Sequence, residues 1–402
     1  MRKPEFVDVE KLEHIERAKK RIEDLWIYGT DYAADIVGEA QKNNHLLHLD
    51  MDMTGECELH CFYCDRTPDR FNEISNRREL STEERKELIR QAKALGATTI
   101  EFPGAGEPMK DAGFWEVFEF IHEMGLIPVL FTSGYHLDEE SVDRLYNLGA
   151  SIFMKYNSTD AAVQDRIVGK KGYGDHSTRA LQLLIDRGFN KTSPTRMAID
   201  MVVTPQYTDM EDIKNIFRFC RRNNIHNYIQ TLIPEGRADR KTRVHEKERA
   251  DNLLKELQDI DKNEFGLEYD PVRPMAGGYK CRQVNVGLFV NLFGEAYDCN
   301  GLGRFLGHSR RNTLEEIWNS KYAYHIRQKE QNGFCLLRER YWNGTENSGM
   351  DRKLEEYREW EEMYGADLVV VKGLEQRVEQ TGSGQSFVQL TRVGNEEFVT
   401  AD

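Results

Sequence analysis

No stretch of this chain is apolar for anything near the ~20 residues that a membrane helix needs. Its opening, MRKPEFVDVEKLEHIERAKK, is charged from the second residue. Without an apolar leader or span, the expectation is no signal peptide, no membrane and a cytoplasmic location. Cysteine is scarce: seven in 402 residues, an odd number. In a reducing compartment that points to ligand or catalytic thiols and away from a disulfide framework. Positive charge is short too, with 55 Lys and Arg against 69 Asp and Glu, a net charge of −14. The basic stripe that grips nucleic-acid phosphates is therefore missing, and no nucleic-acid partner is expected. Solubility accounts for the acidity, an acidic cleft for a cationic small molecule being the alternative. No solenoid-type repeat and no low-complexity block is found, so the chain reads as globular, long enough for one large domain with attachments.

What is there is alternation. Residues 1–45 read as a helical segment, since Val9, Leu12, Ile15, Ile22 and Leu25 recur at helical spacing and DYAADIVGEAQK repeats the pattern. From residue 46 the texture changes. Strand-like LLHLDMDMT (46–54), TTIEF (98–102), IPVLFT (127–132), SIFMKYN (151–157), RMAIDMVVT (196–204) and NYIQTLI (227–233) alternate with amphipathic helical stretches. Two of those helices open on apparent capping boxes, Ser81 with Glu84 and Thr208 with Glu211. Six strand-then-helix units over 46–262 predict an α/β fold with a parallel sheet, a partial (β/α)6 TIM-type barrel open on one side. After the Pro- and Gly-containing boundary DPVRPMAGGY, residues 270–345 read as a smaller α+β module with a hairpin turned at Gly294 and Glu295. Residues 346–402 form an extension without an assigned role.

Chemistry in such folds gathers at the C-terminal edge of the strands, and MTGECELHCFYCDR lies directly after the first one. Cys57, Cys61 and Cys64 are separated by three and then two residues. Thiolates suit zinc and iron–sulfur clusters. A structural zinc site needs four closed ligands, and the nearest fourth is His60. Three cysteines on one loop instead suit three corners of a cubane.

This loop, with Tyr63 before the last cysteine, resembles the cluster loop of the radical S-adenosylmethionine (radical SAM) superfamily. The second strand strengthens the likeness: it runs into Gly104-Ala105-Gly106-Glu107-Pro108, which is similar to that family's Gly-Gly-Glu stretch, with Ala105 in place of the commoner Gly. The resemblance implies a [4Fe–4S] cluster on the three cysteines, with its open iron taking the amino and carboxylate groups of SAM. Glu107 and the backbone near Gly106 would meet the ammonium, and Tyr63 would lie against the adenine. Ser133, Asn157 and Ser158, at the next strand ends, are placed for the ribose or carboxylate, or else are plain cap and turn residues. It further implies an electron donor such as flavodoxin or ferredoxin.

Cys281, Cys299 and Cys335 surround the hairpin and resemble the twitch form of the SPASM/twitch auxiliary-cluster domain, which implies a second [4Fe–4S] cluster. Ile233 to Ala238 looks like the barrel ending that accompanies it. Either a non-cysteine residue, His308, Asp298 or Arg338, completes the ligand set, or one iron stays open for substrate. Cys220 is left over, and its i, i+3, i+4, i+7 partners Ile213, Ile216 and Phe217 put it in an outer-helix core stripe. A thiol there cannot return a hydrogen atom to a substrate radical. Hydrogen abstraction from a polar small molecule, sugar- or aminocyclitol-like, followed by oxidation through the auxiliary cluster is therefore the favoured reaction. Asp52, Arg66, Lys155, Tyr156, Asp200 and Gln230 sit at strand ends as candidate bases, none of them singled out. The alternatives are a peptide-modifying enzyme or an epimerase of the same superfamily, or a non-catalytic Fe–S or zinc protein.

Overall fold

The computed structural model describes residues 5–6, 13, 15–16, 19, 27–64, 78–204, 207–231, 243–269, 281–300, 304–329, 374–380 and 386–392. After β1 (Glu5–Phe6) and α1 (Ala34–Asn43), β2 (His48–Met51) begins a regular alternation. It continues through α2 (Thr82–Ala94), β3 (Thr99–Phe102), α3 (Phe114–Glu123), β4 (Ile127–Thr132), α4 (Glu139–Asn147) and β5 (Ser151–Lys155). Two helices, α5 (Ala161–Val168) and α6 (Tyr173–Arg187), then lead through the short β6 (Thr192–Ser193) to β7 (Met197–Val203). The series ends with α7 (Met210–Arg222), β8 (His226–Thr231) and α8 (Arg243–Phe265). The six expected parallel strands pair in the order β2-β3-β4-β5-β7-β8.

Both faces of these strands are buried, as in a sheet covered by crossover helices. Leu49, Met51, Ile100, Phe102, Leu130, Ile152, Met154, Ile199 and Met201 face outward and join Leu88, Val117, Phe118, Leu145 and Phe217 of the helices in the main core. Alternate residues face inward. Phe131 of β4 and Tyr228 of β8 have ring centroids 5.9 Å apart although β5 and β7 lie between them. Three strand spacings span ~14 Å in a flat sheet, so the sheet is curled into a partial barrel. Its end nearest the strands' N-termini is closed by residues 27–32. There Ile27 packs on Ile127, Val129 and Phe153, and Thr99 Oγ1 and Ser151 Oγ donate to the carbonyls of Gly29 and Tyr28, both at 2.7 Å.

The remainder comprises α9 (Gln283–Val286), β9 (Gly287–Val290), β10 (Glu295–Tyr297), β11 (Phe305–His308), α10 (Leu314–Trp318) and α11 (Lys321–Lys329). The expected hairpin is present, and Gly294 turns it with φ +89°. It is not detached from the barrel: β9 pairs in parallel with β2, making one nine-stranded sheet. Buried Trp318 secures this part by donating from Nε1 to the Asn44 carbonyl at 2.6 Å, with the Arg327 guanidinium 3.6 Å from its ring. A further hairpin, β12 (Leu374–Gln380) with β13 (Ser386–Arg392), forms its own two-stranded sheet. Among the described residues no helix is long and apolar enough to cross a membrane.

Three local readings change. Residues 5–6 pair as a strand with 192–193, where helix was expected. The Ser81 and Glu84 box forms, but α7 is capped by Asp209, which accepts from the Glu211 N–H, while Thr208 shares its hydroxyl with Thr204. A carboxylate one residue nearer the helix is the better acceptor for the open N–H groups. Tyr156 sits in the outer core with its hydroxyl 3.2 Å from Thr178 Oγ1, so it does not face the barrel interior.

Candidate active site

The segment between β2 and α2 carries the three cysteines, and two neighbours hold it. On one side the Gly106 N–H donates to the Thr54 carbonyl and the Glu107 N–H to the Glu56 carbonyl, both at 2.8 Å. This approach requires glycine: a Cβ on Gly106 would lie 2.1 Å from the Glu56 oxygen. Gly104, at φ +81°, turns the chain so that the approach is possible. Ala105 is buried against Leu292 and Phe293, so the methyl group at this position packs without obstructing the approach. On the other side the N–H groups of His60 and Phe62 donate to the Val168 and Ile167 carbonyls at the end of α5, at 2.8 and 3.2 Å. Two strand-end loops and a helix terminus thus fix the cysteine backbone.

Cys57, Cys61 and Cys64 are half-buried, and Cys57 and Cys61 pack with Leu59, Ile167, Val168 and Tyr173. Burial, the largest cause, pushes the Cys57 thiol up to about 11 and Cys61 to about 12. A thiol so placed keeps its proton until a metal takes it. Among the described residues the one trio of His, Cys, Asp and Glu ligand atoms lying within 4.8 Å of one another is His48, Asp50 and Glu101. His60, the nearest fourth ligand for a zinc site on this loop, is exposed.

Glu107 is 2% exposed and is oriented from the end of β4. It accepts from Thr132 Oγ1 at 2.7 Å and from the Ser133 N–H and Oγ at 2.8 and 2.6 Å. Burial raises its carboxyl above the usual range, opposed by these hydrogen bonds. Ser133 thus serves Glu107. Tyr173, fully buried, donates its hydroxyl to the Ser133 carbonyl at 2.8 Å. Asn157 donates from Nδ2 to the Tyr63 hydroxyl at 3.2 Å and accepts from the Val202 N–H at 3.1 Å. Ser158 turns away to Asp212, 2.6 Å distant, and caps its own turn by accepting from the Asp160 N–H. Lys155, 2.7 Å from Asp200 and 5.5 Å over the Tyr63 ring, joins the cysteine loop to the barrel interior, and Gln230 donates to Asp200 at 3.3 Å. Thr132 and Tyr173 were not singled out from sequence. Thr132 is signalled by its place as last residue of a strand next to Ser133, whereas nothing in the sequence around Tyr173 marks it.

Residues 51–220 match the family described as the Radical SAM superfamily. That span is similar to a radical SAM domain. The chain is 25% identical over 324 residues to the PqqA peptide cyclase of Gluconobacter oxydans, covering 74% of this chain and 85% of the cyclase. It is 22% identical over 306 residues to the AdoMet-dependent heme synthase of Methanosarcina barkeri, covering 70% and 84%. The structure of Streptococcus suis SuiB bound to precursor peptide SuiA is similar with a TM-score of 0.56 at 16% identity, covering 84% of this chain and 85% of SuiB. That likeness is one of fold.

Radical SAM chemistry uses a [4Fe–4S] cluster and SAM, and the donor set of the domain fits the cluster: three half-buried cysteines on one loop held by backbone on both sides. In the region of the second set, Cys281 and Cys299 are half-buried, and Cys335, Arg338, Arg66 and residues 233–238 lie outside the described residues. Asp298 has both carboxylate oxygens on Arg304, bonded to its N–H at 2.9 Å and Nε at 2.5 Å.

Proposed function

We propose that this chain uses Cys57, Cys61 and Cys64 to hold a [4Fe–4S] cluster, and Glu107 with the Gly104–Gly106 backbone to hold the ammonium of SAM. When bound, the reduced cluster supplies the electron that splits SAM into methionine and a 5′-deoxyadenosyl radical. The residues of the chain bind, orient and exclude water. The observation that carries this reading is the glycine-dependent contact of residues 104–107 with the cysteine loop, which joins the segment bearing a buried, pre-oriented carboxylate to the loop bearing the three cysteines. A carboxylate already held by three donors loses little freedom on meeting an ammonium.

The reaction is a hydrogen abstraction completed as a two-electron oxidation, with Cys281, Cys299 and Cys335 holding an auxiliary [4Fe–4S] cluster as electron acceptor. Support comes from Cys220, which is fully buried between α7 and the sheet. It has no path to a substrate radical, which disfavours epimerisation. The substrate is a polar small molecule, in keeping with Lys155, Asp200 and Gln230 lining the interior below Tyr63. A peptide substrate is the second reading, favoured by the PqqA peptide cyclase among the relatives.

Anaerobic reconstitution with iron and sulfide, then SAM and dithionite, tests the first part. Release of 5′-deoxyadenosine by the native chain and its loss in Cys57→Ala support it; an iron-loaded chain that never cleaves SAM overturns it. Deuterium exchange tests the second. No solvent deuterium should enter the product, and Cys220→Ala should leave the product unchanged.

A further inference from the structure

The proposed chemistry leaves unused a buried polar cluster at the closed end of the barrel, on the side away from the cysteines. His48 and Asp50 lie two residues apart on β2, hence on one face, and Asp50 is paired in register with Glu101 of β3. The three are 4%, 6% and 6% exposed. One ligand atom from each lies within 4.8 Å of the others. Outward-facing Leu49 and Ile100 belong to the main core, so the trio projects into the barrel.

The surroundings orient this trio. Tyr32 stacks on the His48 ring with centroids 5.9 Å apart at 10°. The Gln283 side-chain carbonyl lies 2.8 Å from Nε2 of His48, the nitrogen that is 3.9 Å from Asp50 Oδ1, and fixes the ring. Gly287, paired with His48 across the strands, makes room for the ring, because a Cβ there would lie 2.1 Å from Nε2. His48 Nδ1 and Glu101 Oε1 have no hydrogen-bond partner. Two facing buried carboxylates cannot both ionise without a cation or a shared proton.

We infer that His48, Asp50 and Glu101 form a binding site for a divalent first-row metal ion, separate from the iron–sulfur chemistry. The donor set of one imidazole and two carboxylates, without thiolate, suits zinc or manganese. The ion joins β2 to β3 and, through the partners of His48, ties the closing segment at Tyr32 and helix α9 to the barrel.

The test equilibrates the iron-reconstituted full chain with Mn2+ in one arm and Zn2+ in the other, and measures bound metal after gel filtration. About one equivalent per chain, beyond the iron, is expected in at least one arm. It should persist in the Cys57→Ala, Cys61→Ala, Cys64→Ala triple variant and weaken at least ~10-fold in Glu101→Gln, where one carboxylate ligand is lost. Absence of binding in both arms, or equal binding by Glu101→Gln, overturns the inference. Should that variant fail to fold, His48→Gln carries the same comparison. X-ray absorption of the metal in the native chain must then show nitrogen and oxygen without sulfur; sulfur in that shell also overturns it.

Discussion

Replacing Gly106 by Ala is the most informative single perturbation, because one methyl group then has nowhere to go. Its Cβ would lie 2.1 Å from the Glu56 oxygen, 2.7 Å from the Glu56 carbonyl carbon and 2.9 Å from its nitrogen. An ordinary contact begins at 3.4 Å, and all three obstructing atoms are backbone, so no rotamer change relieves the overlap. The two loops must separate by about an ångström. That breaks the hydrogen bonds from the N–H groups of Gly106 and Glu107 to Thr54 and Glu56, about 1 kcal/mol each. Misplacing reacting groups by about 1 Å costs on the order of 100-fold in rate, so 5′-deoxyadenosine release should fall at least that far. Global stability falls by only ~2 kcal/mol, the two lost bonds. The assay is anaerobic turnover with dithionite, alongside iron content and thermal melting. A Gly106→Ala chain that melts normally and cleaves SAM at the native rate would refute the argument that this contact sets the site.

Thr132→Val removes the 2.7 Å hydrogen bond to Glu107 and leaves the Gly134 N–H without the hydroxyl it uses; hydrogen bonds to charged groups are worth ~1.5–3 kcal/mol, so the KM for SAM should rise by roughly 10-fold or more. The fully buried pair Arg221 and Asp261, bonded at 2.7 Å, links α7 to α8. Arg221→Met strands the carboxylate and should cost about 3–5 kcal/mol in a denaturant titration. Burial holds Glu107 above the ordinary carboxylate range, so it gains its proton at a higher pH than a free carboxyl. SAM affinity should fall about 10-fold per pH unit below that raised value, and Glu107→Gln should abolish the dependence. The sign for folding is opposite: the cost of ionising a buried carboxyl begins above the unfolded value near 4.5 and grows as pH rises through the folded one. Equilibrium dialysis with SAM and urea titrations, over a pH series running upward from the ordinary carboxylate range, separate these trends.

The strands could be read locally because each is short, apolar and framed by helix caps. IPVLFT at 127–132 is an observed strand residue for residue, and the Ser81 box forms as expected. The cysteine spacing was legible for a similar reason: ligands that share one loop are neighbours in the chain. Helix α5 was missed, and it is only eight residues long, too short for a clear period.

The sequence by itself determined the alternation of strands and helices, the thiol loop after the first barrel strand and the carboxylate after the second, since all depend on residues close along the chain. Only the tertiary structure decided that Thr132 and Ser133 orient Glu107, that β9 extends the barrel sheet beside β2, and that His48, Asp50 and Glu101 converge. Those contacts join residues tens to hundreds of positions apart. Their partners are chosen by sheet register and by which face of a strand is buried, quantities that exist only once the chain has closed on itself.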